Sequence, residues 1–168
     1  MSILRIVTYP DKFLKEPTRE VENIDGRLQQ LIDDMSETMY AAPGVGLAAI
    51  QVGVDQSLLV FDIADRQDGD RNLQVLINPR IVEKEGEILS ENEGCLSVPD
   101  FRADVKRSER ILVDGFDREG KQLRFEAEGF AAIVLQHEID HLNGTLFIDR
   151  ISALKRNLYK RRVKKQMK

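Results

Sequence analysis

Histidine and cysteine are scarce in this chain, which holds two of the first and one of the second among 168 residues. With Cys95 alone no internal disulfide can form, and a reducing compartment is the natural setting. No apolar run comes near the ~20 residues that a bilayer-spanning helix needs, so no membrane role is expected. Residues 1–5 lack the apolar core and small-residue cleavage site of a secretory signal, which points to the cytoplasm. Internal repeats, linkers and low-complexity stretches are missing too. A length of 168 residues with 42% apolar and 32% charged content therefore reads as one globular domain able to bury a sizeable core.

Acidic residues are absent from positions 155–168, where eight cations gather: Lys155, Arg156, Lys160, Arg161, Arg162, Lys164, Lys165 and Lys168. Set against the chain's −4, these eight charges leave −12 on residues 1–154. The chain is accordingly divided into a single main domain, residues 1–150, and a basic C-terminal helix or tail, residues 151–168. A solvated helix is the default for such a run, and weak, salt-dependent RNA contact is the alternative. Tyr159 is the one aromatic residue within it, so base-specific recognition is not expected.

The spacing of Leu28, Leu31, Ile32, Met35 and Met39 predicts a helix opening at Asp25 or Gly26 and stopping near Pro43-Gly44. Residues 57–63 read as a buried strand, and 73–78 and 81–89 as two more, separated at Pro79. A loop is expected around Cys95 and Pro99. Residues 111–116 and 121–126 flank Asp117-Arg118-Glu119-Gly120, a hairpin signal. Phe130–Leu142 is apolar nearly all round, so it reads as a buried helix, ended by Asn143-Gly144. Another helix starts at Ser152. Strands gathered before one central helix predict an α+β fold, with antiparallel β-sheets packed around that helix and helices at both ends of the chain.

Both histidines fall within His137-Glu138-Ile139-Asp140-His141. Residues four apart stack on one helix face, so both imidazoles can reach one ion, while Glu138 is turned toward a water on that ion. HExxH on a helix thus reads as two metal ligands and a general base. The longer pattern HExxHxxGxxH holds through Gly144 and then fails, because Phe147 stands where a third histidine would. The third ligand must be a carboxylate or Cys95. A lone cysteine is usually a small buried hydrophobe, but thiolate binds borderline metals strongly and no better candidate remains. A Cys-His-His set with one open position is catalytic, since structural zinc sites are closed by four ligands. The reaction class is metal-assisted hydrolysis of an amide-like bond. A phosphate loop at Gly44-Val45-Gly46 is disfavoured, because GxxxxGK[ST] is missing and the glycines follow a helix.

Three segments stand out together: Gly44-Val45-Gly46-Leu47-Ala48-Ala49-Ile50-Gln51, Glu93-Gly94-Cys95-Leu96-Ser97 and Gln136-His137-Glu138-Ile139-Asp140-His141. In order and spacing they resemble the signature motifs of the peptide deformylases, and the likeness runs from Tyr9-Pro10-Asp11 to about Asp149. The resemblance implies a hydrolase that removes the formyl group from N-formylmethionyl ends of new polypeptides and releases formate. It implies one divalent metal on Cys95, His137 and His141: Fe²⁺ in the cell, with Zn²⁺, Ni²⁺ or Co²⁺ able to substitute. Glu138 would be the acid/base, and Gln51 with the Leu96 backbone N–H would hold the oxyanion, Gly46 standing beside them.

By the same resemblance Val45, Phe130, Ile133 and Val134 would wall a pocket for the methionine side chain. The last three lie seven, four and three residues before His137 and share its helix face. Glu93 and Arg102 match positions that pair in the family and are expected to fix the cysteine loop by a bidentate contact. The partners implied are nascent formylmethionyl peptides, met by a monomer, with residues 155–168 as a ribosome or RNA tether. A metallopeptidase or amidase sharing the helix motif, and an RNA-associated protein whose metal is structural and whose catalysis is lost, are the competing readings.

Overall fold

The computed structural model describes residues 2–64 and 69–167, so Lys168, the last of the eight cations, lies outside the described residues. In chain order the elements are α1 (Gly26–Ala41), β1 (Gly46–Ala48), β2 (Leu58–Phe61), β3 (Gln74–Glu85), β4 (Ile88–Cys95), β5 (Val98–Arg107), β6 (Arg110–Phe116), β7 (Gln122–Glu128), α2 (Phe130–Leu142) and α3 (Ala153–Gln166). Strands β1-β2-β3-β6-β7 form one antiparallel sheet, and β4 with β5 forms a separate hairpin. This is the expected α+β architecture. None of the described helices is long and apolar enough to cross a membrane.

The larger sheet is covered on both faces, which is why β2 is buried at all four positions. Alternate side chains of a strand point to opposite faces. Leu59 and Phe61 pack toward Val134, Leu135 and Ile139 of α2. Leu58 and Val60 meet Ile32, Met35 and Met39 of α1. Helix α1 forms as its spacing dictates: Asp25 caps it by accepting from Leu28 N–H at 3.0 Å, and Leu28, Ile32, Met35 and Met39 give it one buried stripe. Ile32 and Met35 are fully buried, each worth about 1.5–3 kcal/mol of transfer free energy.

Helix α2 buries its apolar residues on the sheet, yet Gln136, His137, Glu138, Asp140 and His141 are buried as well. Buried polar side chains need partners, so the face they occupy must be covered by groups that satisfy them. The helix ends at Gly144, whose φ of +76° suits glycine, and a Cβ there would lie 2.4 Å from the Lys15 carbonyl oxygen. Phe130 departs from the buried pattern. It is 56% exposed at the start of the helix.

Three segments differ from the expectations. Strand β3 runs through Pro79 instead of breaking there, because a register irregularity between Ile77 and Arg80 takes up the proline. Asn78 supports that bulge at φ 52°, its side chain bonding both the N–H (2.8 Å) and the C=O (3.0 Å) of Val21. The stretch read as a strand over 81–89 turns at Gly86, where β3 gives way to β4. The loop expected around Cys95 is a tight hairpin end, with Cys95 paired to Val98. At the C-terminus, α3 is capped by Ser152 and fastened by Tyr159, which is buried and stacks on Phe101 at 4.6 Å.

Candidate active site

Two elements build the site. Helix α2 supplies His137 and His141, one turn apart, and the end of β4 supplies Cys95 opposite them. Cys95 Sγ lies 3.3 Å from His141 Nε2, which lies 3.3 Å from His137 Nε2. Tetrahedral coordination with Zn–N-type and Zn–S-type bonds places donor atoms about 3.4–3.6 Å apart. The three donors converge at nearly that spacing, so the residues fit a single ion. Two imidazole nitrogens and a sulfur turned on one another within 4.8 Å are the donor types that a borderline divalent cation takes. Phe147, at the position that broke the longer motif, stacks on the His137 ring at 6.3 Å.

The charges around the donors set their proton states. Burial pushes His141 well below the usual imidazole range, leaving it neutral. Burial also works against a charged His137, but the Cys95 sulfur and the carboxylates outweigh it and raise the ring well above its usual value. The negative surroundings that hold a proton on His137 are the ones that favour a metal cation there. His137 Nδ1 is 2.6 Å from Glu93 Oε1, which leaves Nε2 to face Cys95 and His141. Burial raises the Glu93 carboxyl, yet hydrogen bonds from His137 and Arg107 prevail and hold it at about 2.

The partner of Glu93 requires a correction. Arg102 does not clamp it: Arg102 Nη1 donates to the Asn92 carbonyl at 3.2 Å and lines the cavity instead. Arg107 makes the bidentate contact, Nη2 to Glu93 Oε1 and Nε to Oε2 at 3.3 Å. Its Nη1 reaches Asp140 Oδ2 at 2.7 Å. Neither Arg107 nor Asp140 was singled out from the sequence, although a carboxylate on an otherwise apolar helix was itself a signal that a buried partner exists.

Glu138 is 4% exposed, and no described protein group bonds its Oε2. Burial raises its carboxyl to about 7, with His137 pulling the other way and Glu93 adding to the rise. Gly46 makes room for it. A Cβ at that position would lie 2.8 Å from Glu138 Cγ and 2.9 Å from Cδ. Gln51 sits in the 3₁₀ turn Ala49–Val52 and is buried. Its Oε1 accepts from Ala48 N–H at 3.0 Å, which aims Nε2 at Ser97 Oγ (3.0 Å) and the Cys95 sulfur (3.7 Å).

A cavity of about 520 Å³ borders on Gly46, Gln51, Cys95, Leu96, His137 and Glu138. Val45, Phe130, Ile133 and Val134 are its apolar walls, and Val45 and Phe130 are exposed, so these walls reach the surface. All the residues singled out for catalysis and the pocket are thus gathered around one space.

An HExxH helix with a cysteine opposite its two histidines and a buried glutamate beside them, on an α+β frame, defines a hydrolase with a candidate metal site. A family model described as polypeptide deformylase matches residues 3–157. The chain belongs to that family, and it is an enzyme. It is 57% identical over 168 residues to a peptide deformylase of Desulfosudis oleivorans, covering 100% of this chain and 96% of the other. Its structure is similar to the crystal structure of peptide deformylase from Ehrlichia chaffeensis in complex with actinonin (TM-score 0.91, 43% identity, 99% and 98% of the two chains). It is also similar to a class I type b peptide deformylase from Acinetobacter baumannii bound to Met-Ala-Ser (TM-score 0.83, 36% identity, 90% and 100% of the two chains).

Proposed function

We propose that this enzyme hydrolyses the formyl amide of N-formylmethionyl polypeptides, releasing formate and a free amino terminus. The observation that carries this reading is the convergence of the Cys95, His137 and His141 donors beside Glu138, on a cavity with apolar walls. The Met-Ala-Ser peptide named in the Acinetobacter baumannii structure has the form of the product. A divalent ion on Cys95, His137 and His141 supplies the Lewis acid that makes water nucleophilic near neutral pH. Fe²⁺ is the ion proposed for the cell, with Zn²⁺, Ni²⁺ or Co²⁺ suiting the same donors.

The protein's own groups do the rest. Glu138 takes a proton from the attacking water as the new C–O bond forms, and returns it to the amine nitrogen as the C–N bond breaks. A carboxyl near 7 is suited to both transfers. Gln51 Nε2 and the Leu96 N–H are the proposed donors to the carbonyl oxygen as it gains charge, a role supported by their place on the cavity wall. The candidate ion donors all come from one chain, which supports a monomer, and a substrate made on ribosomes supports a cytoplasmic setting.

Formyl-Met-Ala-Ser and unformylated Met-Ala-Ser, assayed side by side for formate and for peptide-bond cleavage, test the reaction. Formate from the first alone is expected, lost on chelation and restored by adding a divalent ion. Cleavage of the unformylated peptide would instead favour a metallopeptidase. The pocket is tested by Ile133→Asp. Losing the roughly 1.5–3 kcal/mol of methionine burial should lower kcat/KM for formyl-Met peptides about ten- to hundred-fold with metal content intact. Unchanged kinetics would remove Ile133 from the pocket.

The cations of α3 are proposed to bring the enzyme to RNA at the ribosome. Lys155, Lys160, Arg161, Lys164 and Lys165 are exposed, as is Arg162, whose guanidinium however donates to the Asp100 carbonyl and lies over Phe101. Truncation would remove the buried Tyr159 along with the charge, so glutamine at Lys160, Arg161, Lys164 and Lys165 is the cleaner change. That variant should lose low-salt cosedimentation with ribosomes and keep its kcat/KM on short peptides. Undiminished cosedimentation would remove the tether from the account.

A further inference from the structure

Behind the donor set, alternating charges run from the centre outward to solvent. Glu93 Oε1 holds His137 Nδ1 at 2.6 Å, Arg107 brackets Glu93, and Arg107 Nη1 donates to Asp140 Oδ2 at 2.7 Å. The last link is Arg150, whose Nε and Nη2 donate to Asp140 Oδ2 and Oδ1 at 2.6 and 2.8 Å. Glu93 and Arg107 are buried, at 6% and 2% side-chain exposure, and exposure then rises to 12% at Asp140 and 41% at Arg150. The backbone that carries Arg150 is itself tied down. In the turn Phe147–Arg150, Asp149 accepts from Leu146 N–H at 2.9 Å and pairs with Lys15.

We propose that Arg150 is a positioning residue for the metal centre, its guanidinium fork orienting Asp140 so that Arg107 and Glu93 hold the His137 ring. The inference rests on Cys95, His137 and His141 being the metal ligands. Asp140 accepts from two guanidiniums, and only the two-point grip of Arg150 fixes the plane of its carboxylate. Turning that plane would misalign Oδ2 for Arg107, and Arg107 is the group that keeps Glu93 beneath His137. Groups that orient a ligand histidine tune metal retention by 10–100-fold, and Arg150 acts through two further links, so about three- to ten-fold is expected.

Charge and geometry predict opposite signs here. A positive charge removed from the neighbourhood favours a bound cation, whereas a lost fork loosens the ligand. Arg150→Lys keeps the charge and loses the fork, and Arg150→Gln loses both. The measurement is release of cobalt from the loaded, full-length protein to excess chelator, together with the thiolate-to-cobalt and d–d bands. Both variants are expected to release cobalt about three- to ten-fold faster, with altered d–d bands, a lower kcat and an unchanged KM for a formyl peptide. A lysine variant with the release rate and spectrum of the wild type overturns the proposal, as does slower release from the glutamine variant. If the wild type itself fails to take up one cobalt with a thiolate band, the ligand assignment falls and this inference falls with it. A wild type that binds normally beside indifferent variants sinks the role of Arg150 alone.

Discussion

Glu138→Gln should lower kcat by about 10²–10⁴-fold while leaving metal content and KM nearly unchanged. Glutamine has the shape of glutamate, so it fits the space that Gly46 leaves open beside the side chain. What it cannot do is accept the proton of the attacking water. The carboxylate that is lost is almost fully buried, and burial raises it to about 7, so carrying its charge there costs the folded state. The same substitution is therefore expected to raise the denaturation midpoint. Activity and stability should move in opposite directions, as at other sites where function keeps a strained or destabilised group. Steady-state kinetics with metal analysis and a urea titration check both halves. A variant retaining more than a tenth of the activity would remove Glu138 as the proton carrier, and a lower midpoint would mean that its carboxylate is satisfied in the fold.

Helix α2 was legible from its ends inward. Its apolar run, its HExxH spacing and the Asn143-Gly144 stop agree with the observed Phe130–Leu142. Helix α1 was equally plain, because a single stripe of Leu28, Ile32, Met35 and Met39 admits one period. The donor trio was reached by elimination: two histidines and one cysteine leave few combinations. What stayed hidden was the partner of Glu93, and the cause lies in β5. A loop was expected around Cys95 and Pro99, and no strand was read between Pro99 and residue 111, where β5 runs. Once it is known as a strand, its alternation is visible, with Ala103, Val105 and Arg107 buried and Arg102, Asp104 and Lys106 exposed. The phase of that alternation chooses Arg107 over Arg102, and no count of charges near the cysteine could have done so. Strand β3 was read as two strands, 73–78 and 81–89, for the opposite reason. Pro79 is a break signal that a bulge can absorb, and the bulge is held by Asn78 on Val21, a contact between distant parts of the chain.

The hairpin that carries Cys95 and the helix that carries both histidines are thus joined by buried charges, and Arg107 carries the joint. Replacing it by methionine should destabilise the protein by about 3–5 kcal/mol, the range for leaving buried charges without their partner. Desolvation makes a buried ion pair a poor source of net stability, but the penalty for removing one member is large, because the carboxylates cannot regain water. Arg107 faces two of them, Glu93 and Asp140, with its own side chain 2% exposed. Glu93 would keep His137 and Asp140 would keep Arg150, which sets the effect toward the lower end of that range. With a urea m value of about 2 kcal/mol/M, the midpoint should fall by roughly 1.5–2 M at unchanged slope. Metal retention should fall with it, since Glu93 would no longer be braced beneath His137. A midpoint shift below about 0.5 M would show that the hairpin is held to α2 by other contacts, and the joint between ligand and scaffold would have to be sought among Val98, Val105 and Phe147, the apolar residues that share this part of the core.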